Sequence, residues 1–369
     1  MKKGEIIMWG LILGSALAAA VVAIIYLTGC IGKFGAIQAL AGERKWLRRL
    51  ISFLILAGIC VLLGYFMSPV NAVIVMLHEA VFFLLFGVII RLISHFSGKE
   101  FTVNWQGWLA VICSIVYLGY GYYALHHVSR TDYTLKTDKQ ITLKAALIAD
   151  SHLSTVFDAD GFAEHLKTIE AQQPDLLLIA GDFVDDSTKN TDLMKACEAL
   201  GKLDLKYGVW YCYGNHDKGY YRNKDYTPDE LEKALKDNGV HVLTDAYELV
   251  DDSFYIVGRN DRSRSERKSM EDLLEGVDTS KYIIVMDHQP SDYENEAASA
   301  ADLVVSGHTH GGQLIPITFV GEWLSMNNRT YGYEQRSGTD FIVTSGIADW
   351  EIQFKTGTKS EYVMINIGG

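Results

Sequence analysis

Five short polar motifs interrupt apolar runs in the second half of this 369-residue chain. They are Asp150-Ser-His152, Gly181-Asp182-Phe-Val-Asp185, Gly214-Asn215-His216-Asp217, His288 within Asp-His-Gln-Pro, and Gly307-His308-Thr-His310-Gly-Gly. Asp150, His152, Asp182, Asn215, His288, His308 and His310 offer oxygen and imidazole donors that suit Mn²⁺, Zn²⁺ or Fe. Two divalent cations about 3.5–4 Å apart can clamp the attacking and leaving oxygens of a phosphoryl displacement. Such a pair needs a bridging carboxylate, terminal imidazoles and carboxylates, and open positions for a hydroxide. Asn215 adds a neutral amide oxygen, which limits the negative charge that an incoming phosphate meets. No cysteine belongs to the set, which argues against a structural thiolate zinc site.

Each motif starts where a strand-like run ends: Ala145–Ala149, Leu176–Ala180, Val209–Tyr213, Ile283–Met286 and Leu303–Val305. In open α/β sheets, ligands bind at the carboxyl ends of the strands, so five loops can converge on one rim. Helix-like stretches alternate with these strands at Asp160–Gln172, Pro228–Asn238 and Ser269–Leu274. Pro228-Asp-Glu suits a helix start, with proline in the first turn and acids at the positive end of the dipole. Phe341–Ser345 and Tyr362–Ile367 return to strands. A lone GD or GH pair is usually a tight turn. The weight lies in the set, which takes five of the eleven histidines in a consistent order. Asp185 and Asp186 read as loop or cap residues, and His165 and His241 as ordinary core or surface histidines.

The order D-x-H, GDxxD, GNHD, H and GHTH resembles the calcineurin-like metallophosphoesterase superfamily, and Gly307–Gln313 resembles its membrane-associated YkuE/YaeI-like branch. The resemblance covers about Ile141 to Ile367. It implies a four-layer αββα sandwich and two bound cations. One would take Asp150, His152, Asp182 and His310; the other would take Asp182, Asn215, His288 and His308, with Asp182 bridging. It implies that His216 protonates the leaving alkoxide or steadies the phosphoryl oxygens, with Asp217 as an orienting partner. Related chains often carry an arginine after the last SGI-type turn. This chain reads Gln353-Phe354-Lys355, so a substrate contact there is not carried over.

Ahead of this region lie four apolar stretches: Ile6–Leu27, Leu47–Met67, Val70–Ile93 and Gly107–Leu125. Each has about the 20 residues needed to cross a bilayer. Trp105 and Trp108 at one end of the fourth, and Tyr120, Tyr122 and Tyr123 at the other, suit interfacial belts. Ser68-Pro69 predicts a helical hairpin. The organisation expected is a transmembrane region with four helices over 1–127, a polar connector over 128–140, and an α/β metallophosphoesterase domain over 141–369. His78-Glu79 within the third stretch reads as a polar pair facing other helices, with a head-group or proton contact as the alternative. Cys30, Cys60 and Cys113 fall in or beside the spans; Cys197 and Cys212 read as buried free thiols.

Charge divides at the same place. Residues 1–126 hold nine Lys/Arg and four Glu, a net of +5, and the remainder holds 24 basic and 41 acidic side chains, a net of −17. So acidic a domain repels nucleic acid, and no nucleic-acid partner is expected. Lys33, Arg44, Lys45, Arg48 and Arg49 share one side with Arg91 and Lys99, while the other side offers only Lys2 and Lys3. Positive-inside bias then predicts a multi-pass cell-membrane protein with an extracellular catalytic domain. Leu27-Thr28-Gly29-Cys30 resembles a lipobox, and cleavage there would place the enzyme in the cytoplasm; Glu5 and the further spans weigh against it.

The short connector predicts a substrate in the bilayer, because a lipid-borne phosphodiester or diphosphate, such as a cell-envelope precursor, gains effective concentration there. Alternatives are a phosphomonoesterase on phosphoproteins or isoprenoid phosphates, and a membrane sensor regulated by its phosphoesterase domain. The basic run Arg259, Arg262, Arg264, Arg267 and Lys268 reads equally as a phosphate contact or a solvated loop.

Overall fold

The computed structural model describes residues 3–101, 103–218, 224–263 and 266–369, with backbone alone at 3–13, 16 and 317. Lys2 and Arg264, counted above, lie outside the described residues. The chain forms two compact units, 1–121 with 351–353, and 122–350 with 354–369.

The first unit is helical: α1 (Lys3–Ile31), α2 (Gly35–Ala41), α3 (Lys45–Phe66), α4 (Pro69–Ser97) and α5 (Trp105–His126, whose last turns belong to the second unit). Among the described residues, α3, α4 and α5 are each long and apolar enough to cross a membrane. Leu17–Ile31 with α2, bent by 79°, makes a fourth candidate. The four-span expectation is therefore approximate, because the first stretch turns sharply after Ile31. Cys30 sits in the last turn of α1. Ser68 caps α4, its Oγ accepting from the Asn71 amide at 3.2 Å, and Pro69 opens the helix, which makes the expected hairpin. Asn71 is fully buried: its Nδ2 donates to the Glu351 carbonyl (3.0 Å) and its Oδ1 accepts from the Gln353 amide (2.8 Å). His78 packs against Tyr117, and Glu79 meets Ser114, so the polar pair faces another helix of the same unit.

The second unit runs β1 (Ser129–Leu135), β2 (Leu143–Ile148), α6 (Ala159–Glu170), β3 (Leu176–Ala180), α7 (Asn190–Gly201), β4 (Val209–Cys212), α8 (Pro228–Asp237), β5 (His241–Leu243), β6 (Ala246–Val250), β7 (Phe254–Gly258), α9 (Met270–Leu273), β8 (Tyr282–Met286), α10 (Tyr293–Ala297), β9 (Leu303–Ser306), α11 (Val320–Trp323), β10 (Gly332–Arg336), β11 (Thr339–Val343) and β12 (Glu361–Ile367). One six-stranded sheet has the order β1-β12-β2-β3-β4-β5, and the other β10-β11-β9-β8-β7-β6. Their inner faces share a core that includes Leu147, Leu178, Trp210, Ile256, Ile284, Val305 and Ile365. The helices α6, α7 and α8 cover the outside of the first sheet through Phe162, Leu193 and Leu231, and α9 and α10 cover the second through Met270 and Tyr293. This is the four-layer αββα sandwich. Strands β2, β3 and β4 are parallel neighbours, as are β7, β8 and β9, so their carboxyl ends share an edge within each sheet.

Residues 128–140, expected to be a connector, carry strand β1, paired in parallel with β12 over Ser129–Leu135. It is an edge strand whose outward residues alternate with half-buried ones, so its polar composition hid it.

Candidate metal centre

The motif loops turn back over the strand ends by an uncommon backbone route. Asp150, His152, Asp182, His308 and His310 all have positive φ, between 36° and 71°. Asp and His are among the residues that enter this region most readily. Gly214 and Gly307 let the loops close, since a Cβ at either would collide with the carboxylate of Asp182 or Asp150 respectively.

Among the described residues, three donor groups form at this rim, one of them His152, Asp185 and His216, and the other two hold residues proposed as ligands. In the first of those two, Asp150, His152 and His310 bring one donor atom each within 4.8 Å of one another; in the second, Asp182, His288 and His308 do the same. Asp182 lies between them: its Oδ2 is 3.1 Å from His288 Nε2 and 3.8 Å from His152 Nε2. Asn215 Oδ1 approaches the same His288 Nε2 at 3.1 Å. His288 Nδ1 donates to the Ala180 carbonyl at 2.8 Å, which aims Nε2 into the site. The backbone amide of His308 donates to both oxygens of Asp150 (3.0 and 2.9 Å). All seven residues proposed from sequence are brought to one place.

The shifted imidazoles divide: burial pulls His288 down, but the carboxylates of Asp182 and Asp150 outweigh it and hold it well above its usual value, while two others go the opposite way. Burial, with the neighbouring His288, pushes His308 down to about 4; burial and His152 push His310 well below its usual value. Both are thus neutral imidazoles at neutral pH. Burial pushes Asp150 up to about 6 against the pull of His288. For Asp182 burial acts upward, but His288 and the other histidines outweigh it and hold it well below its usual value. His152 Nε2 is buried with no hydrogen-bond partner among the described residues, although its Nδ1 is fixed by Asp185 at 2.9 Å. A buried lone pair facing a carboxylate is costly unless a cation joins them, so the donor set fits a divalent pair.

Two carboxylates stand where the sequence reading did not put them. Asp217, expected to orient His216, is fully buried and accepts from the backbone amides of Asp182 (2.8 Å), Val184 (3.1 Å) and Gly214 (2.6 Å). It ties two motif loops together. Asp185, read as a loop residue, meets both His152 Nδ1 (2.9 Å) and His216 Nδ1 (3.4 Å) with one oxygen. Its place as last residue of GDFVD was the available signal. Burial draws the His216 pKa down, but the bond to Asp185 and the charge of Asp182 outweigh it, leaving it raised. Asp349 is a further unforeseen neighbour, 3.4 Å from His310 Nδ1 and 4.0 Å from the buried Lys355. Lys355 donates to the carbonyls of Ser345 (2.5 Å) and Ala348 (2.9 Å), so it supports the loop from inside.

The basic run resolves differently. Arg259 is buried and pairs with Asp287 (3.1 Å), Asp292 (2.8 Å) and Glu296 (2.9 Å); Arg267 also grips Asp287. These two guanidiniums brace the residue preceding His288 rather than face an incoming phosphate. His241 stacks on Trp210, and His165 meets Phe157 edge-on.

The match to the calcineurin-like phosphoesterase family spans residues 143–312. An uncharacterized metallophosphoesterase of Aquifex aeolicus is 30% identical over 247 residues, covering 64% of this chain and 90% of that protein. YkuE of Bacillus subtilis is 25% identical over 291 residues, covering 73% and 97%. A transmembrane protein with metallophosphoesterase domain from Danio rerio is 28% identical over 238 residues, covering 60% and 52%. The chain belongs to the calcineurin-like phosphoesterase family, on its YkuE-like branch, and is a metal-dependent phosphoesterase attached to apolar helices of membrane-spanning length.

Proposed function

We propose that this protein hydrolyses a phosphodiester or diphosphate bond in a lipid or cell-envelope precursor, at a site facing the outside of the cell membrane. The observation that carries the reading is the pair of donor clusters joined through Asp182. Asp150, His152 and His310 would hold one cation, Asn215, His288 and His308 the other, with Asp182 shared. When bound, the pair supplies Lewis acidity toward phosphoryl oxygens and acidifies water. The protein's own groups do the rest. His216, one-fifth exposed, is held by Asp185 and carries the proton that the leaving alkoxide takes up. The amide of His216 is fixed by Asp182 Oδ1 at 2.8 Å, so the acid keeps its place relative to the cluster. Residues 1–127 serve as the membrane anchor and 141–369, extended by strand β1 of the connector, as the catalytic domain, with the basic loops inside the cell.

The test is hydrolysis of bis-p-nitrophenyl phosphate by the full chain in lipid nanodiscs, with Mn²⁺, Zn²⁺, Fe²⁺ or chelator, beside Asp182→Asn. Metal-dependent turnover lost in the variant supports the reading. Turnover of p-nitrophenyl phosphate alone points to monoesters, and turnover indifferent to chelator sinks the two-cation site.

A further inference from the structure

We infer that the segment from Ile315 to Met326 rests in the headgroup–acyl boundary of the bilayer. The inference rests on the apolar helices being membrane-embedded. Ile315, Phe319, Trp323, Leu324 and Met326 are exposed by 46, 51, 76, 66 and 40% in the full chain. Isolated exposed apolar residues are ordinary, but five within twelve positions form a patch that calls for a partner.

The partner's chemistry follows from charge. From Leu314 to Asn328 the only ionisable residue is Glu322, although the region beyond residue 126 is rich in acids. The Glu322 carboxylate accepts from the Thr330 amide at 2.7 Å, so its charge is turned to the base of the segment. Phe319 and Trp323 stack with centroids 5.9 Å apart, giving one aromatic face on consecutive helical turns. Tryptophan beside aliphatic side chains is the composition of interfacial anchors, which sink roughly 5–10 Å into the boundary.

The link from the membrane-length helix to the first strand is short. Helix α5 ends at His126 and strand β1 begins at Ser129, so full extension between them spans at most about 10 Å. The base of the segment is also rigid. Thr309 Oγ1 donates to the Thr330 carbonyl (2.6 Å), and the Gln313 carbonyl accepts from the amides of Thr356 (2.9 Å) and Gly357 (3.0 Å). The segment thus grows from the loop that carries His308 and His310, and lipid contact at its tip keeps that loop at the headgroup layer.

The experiment uses the full chain in nanodiscs with a nitroxide on Trp323→Cys, and separately on Leu324→Cys. Collision with oxygen and with a water-soluble nickel chelate is read by power saturation. Val88→Cys on α4 is the lipid reference and Lys233→Cys on α8 the water reference; both positions are exposed. The parent chain sets the labelling background from its five cysteines, three buried and two half-buried. The expected result is several-fold less nickel collision at 323 and 324 than at 233, with oxygen collision approaching that at 88. Nickel access equal to that at 233 while 88 reads as lipid overturns the inference and leaves the membrane reading intact. Water-like behaviour at 88 overturns both. Dipolar broadening between labels at 323 would assign the patch to a second copy of the chain and overturn the lipid contact.

Discussion

Asp185 offers the sharpest way to separate positioning from ligation. One of its oxygens lies 2.9 Å from His152 Nδ1 and 3.4 Å from His216 Nδ1, so it holds one proposed ligand and the proposed acid at once. Burial alone would raise its pKa, but the bonds from His152 and His216 outweigh burial and hold it far below the usual carboxylate range. It is therefore an anion at any working pH. Asp185→Asn keeps the volume and removes the charge. A hydrogen bond to a charged group contributes about 1.5–3 kcal/mol and a neutral one about 0.5–1.5, so each ring loses roughly 1–1.5 kcal/mol. At about 1.4 kcal/mol per decade, this becomes close to tenfold for each function. Metal affinity should fall about tenfold through His152, and kcat at saturating metal about tenfold through His216, within the 10–100-fold typical of groups that orient ligands. The assay is aryl phosphodiester turnover against metal concentration, with metal content measured on the same samples and His216→Ala run in parallel. If Asp185→Asn keeps both quantities within about twofold, outside that range, the double clamp has no functional role. If it still lowers kcat several-fold in the His216→Ala background, the loss does not pass through His216.

Asp217→Asn should show the opposite signature. Its carboxylate accepts from three backbone amides, and losing one bond while placing an NH₂ against an amide destabilises the domain by about 2–4 kcal/mol, with kcat of the folded fraction nearly unchanged; thermal unfolding and active-fraction kinetics check this. Removing metal with a chelator should lower Tm by roughly 5–10 °C, because a ligand at 100 times its Kd adds about 2.7 kcal/mol and each kcal/mol moves a domain of this size by 2–4 °C; re-adding cation should restore it. Arg259→Met leaves the buried Glu296 without its counter-ion and Asp287 and Asp292 with Arg267 alone, and should cost about 3–5 kcal/mol, partly recovered with Glu296→Gln, as denaturant unfolding would show.

The elements that carry the motifs were legible because each is short, apolar and ended by a polar turn. Strand β3 matches its expected run at Leu176–Ala180, β8 differs from Ile283–Met286 by one residue, and α6, α8 and α9 lie within two residues of their expected limits. Strand β1 was not legible, since Ser-Arg-Thr-Asp-Tyr-Thr-Leu lacks the apolar alternation of a half-buried strand and gains its place by pairing with β12. The choice between Asp185 and Asp217 was hidden for another reason. Adjacent residues in a tight loop point in directions set by φ and ψ, and the carboxylate of Asp217 goes to the backbone amides of Asp182, Val184 and Gly214. Within the basic run, Arg262 and Lys268 are exposed as a solvated loop requires, but the pairing of Arg259 and Arg267 was hidden because a string of arginines does not display the carboxylates that fold onto it.

The ligand loops themselves share a physical cause, visible in the backbone. Five of the seven candidate ligands sit at positive φ, a conformation that costs of order 1–3 kcal/mol for a residue with a side chain. The loops keep it because both sides of each are held: strands β2, β3 and β9 are almost entirely buried, and the carboxylates of Asp150 and Asp217 pin neighbouring amides. The turn needs Asp, Asn or His to lower that cost, and divalent cations need the same residue types as donors. Folding and ligation therefore select one set of residues at these positions. That is why the motifs stand out in the sequence, and why the groups that merely steady them do not.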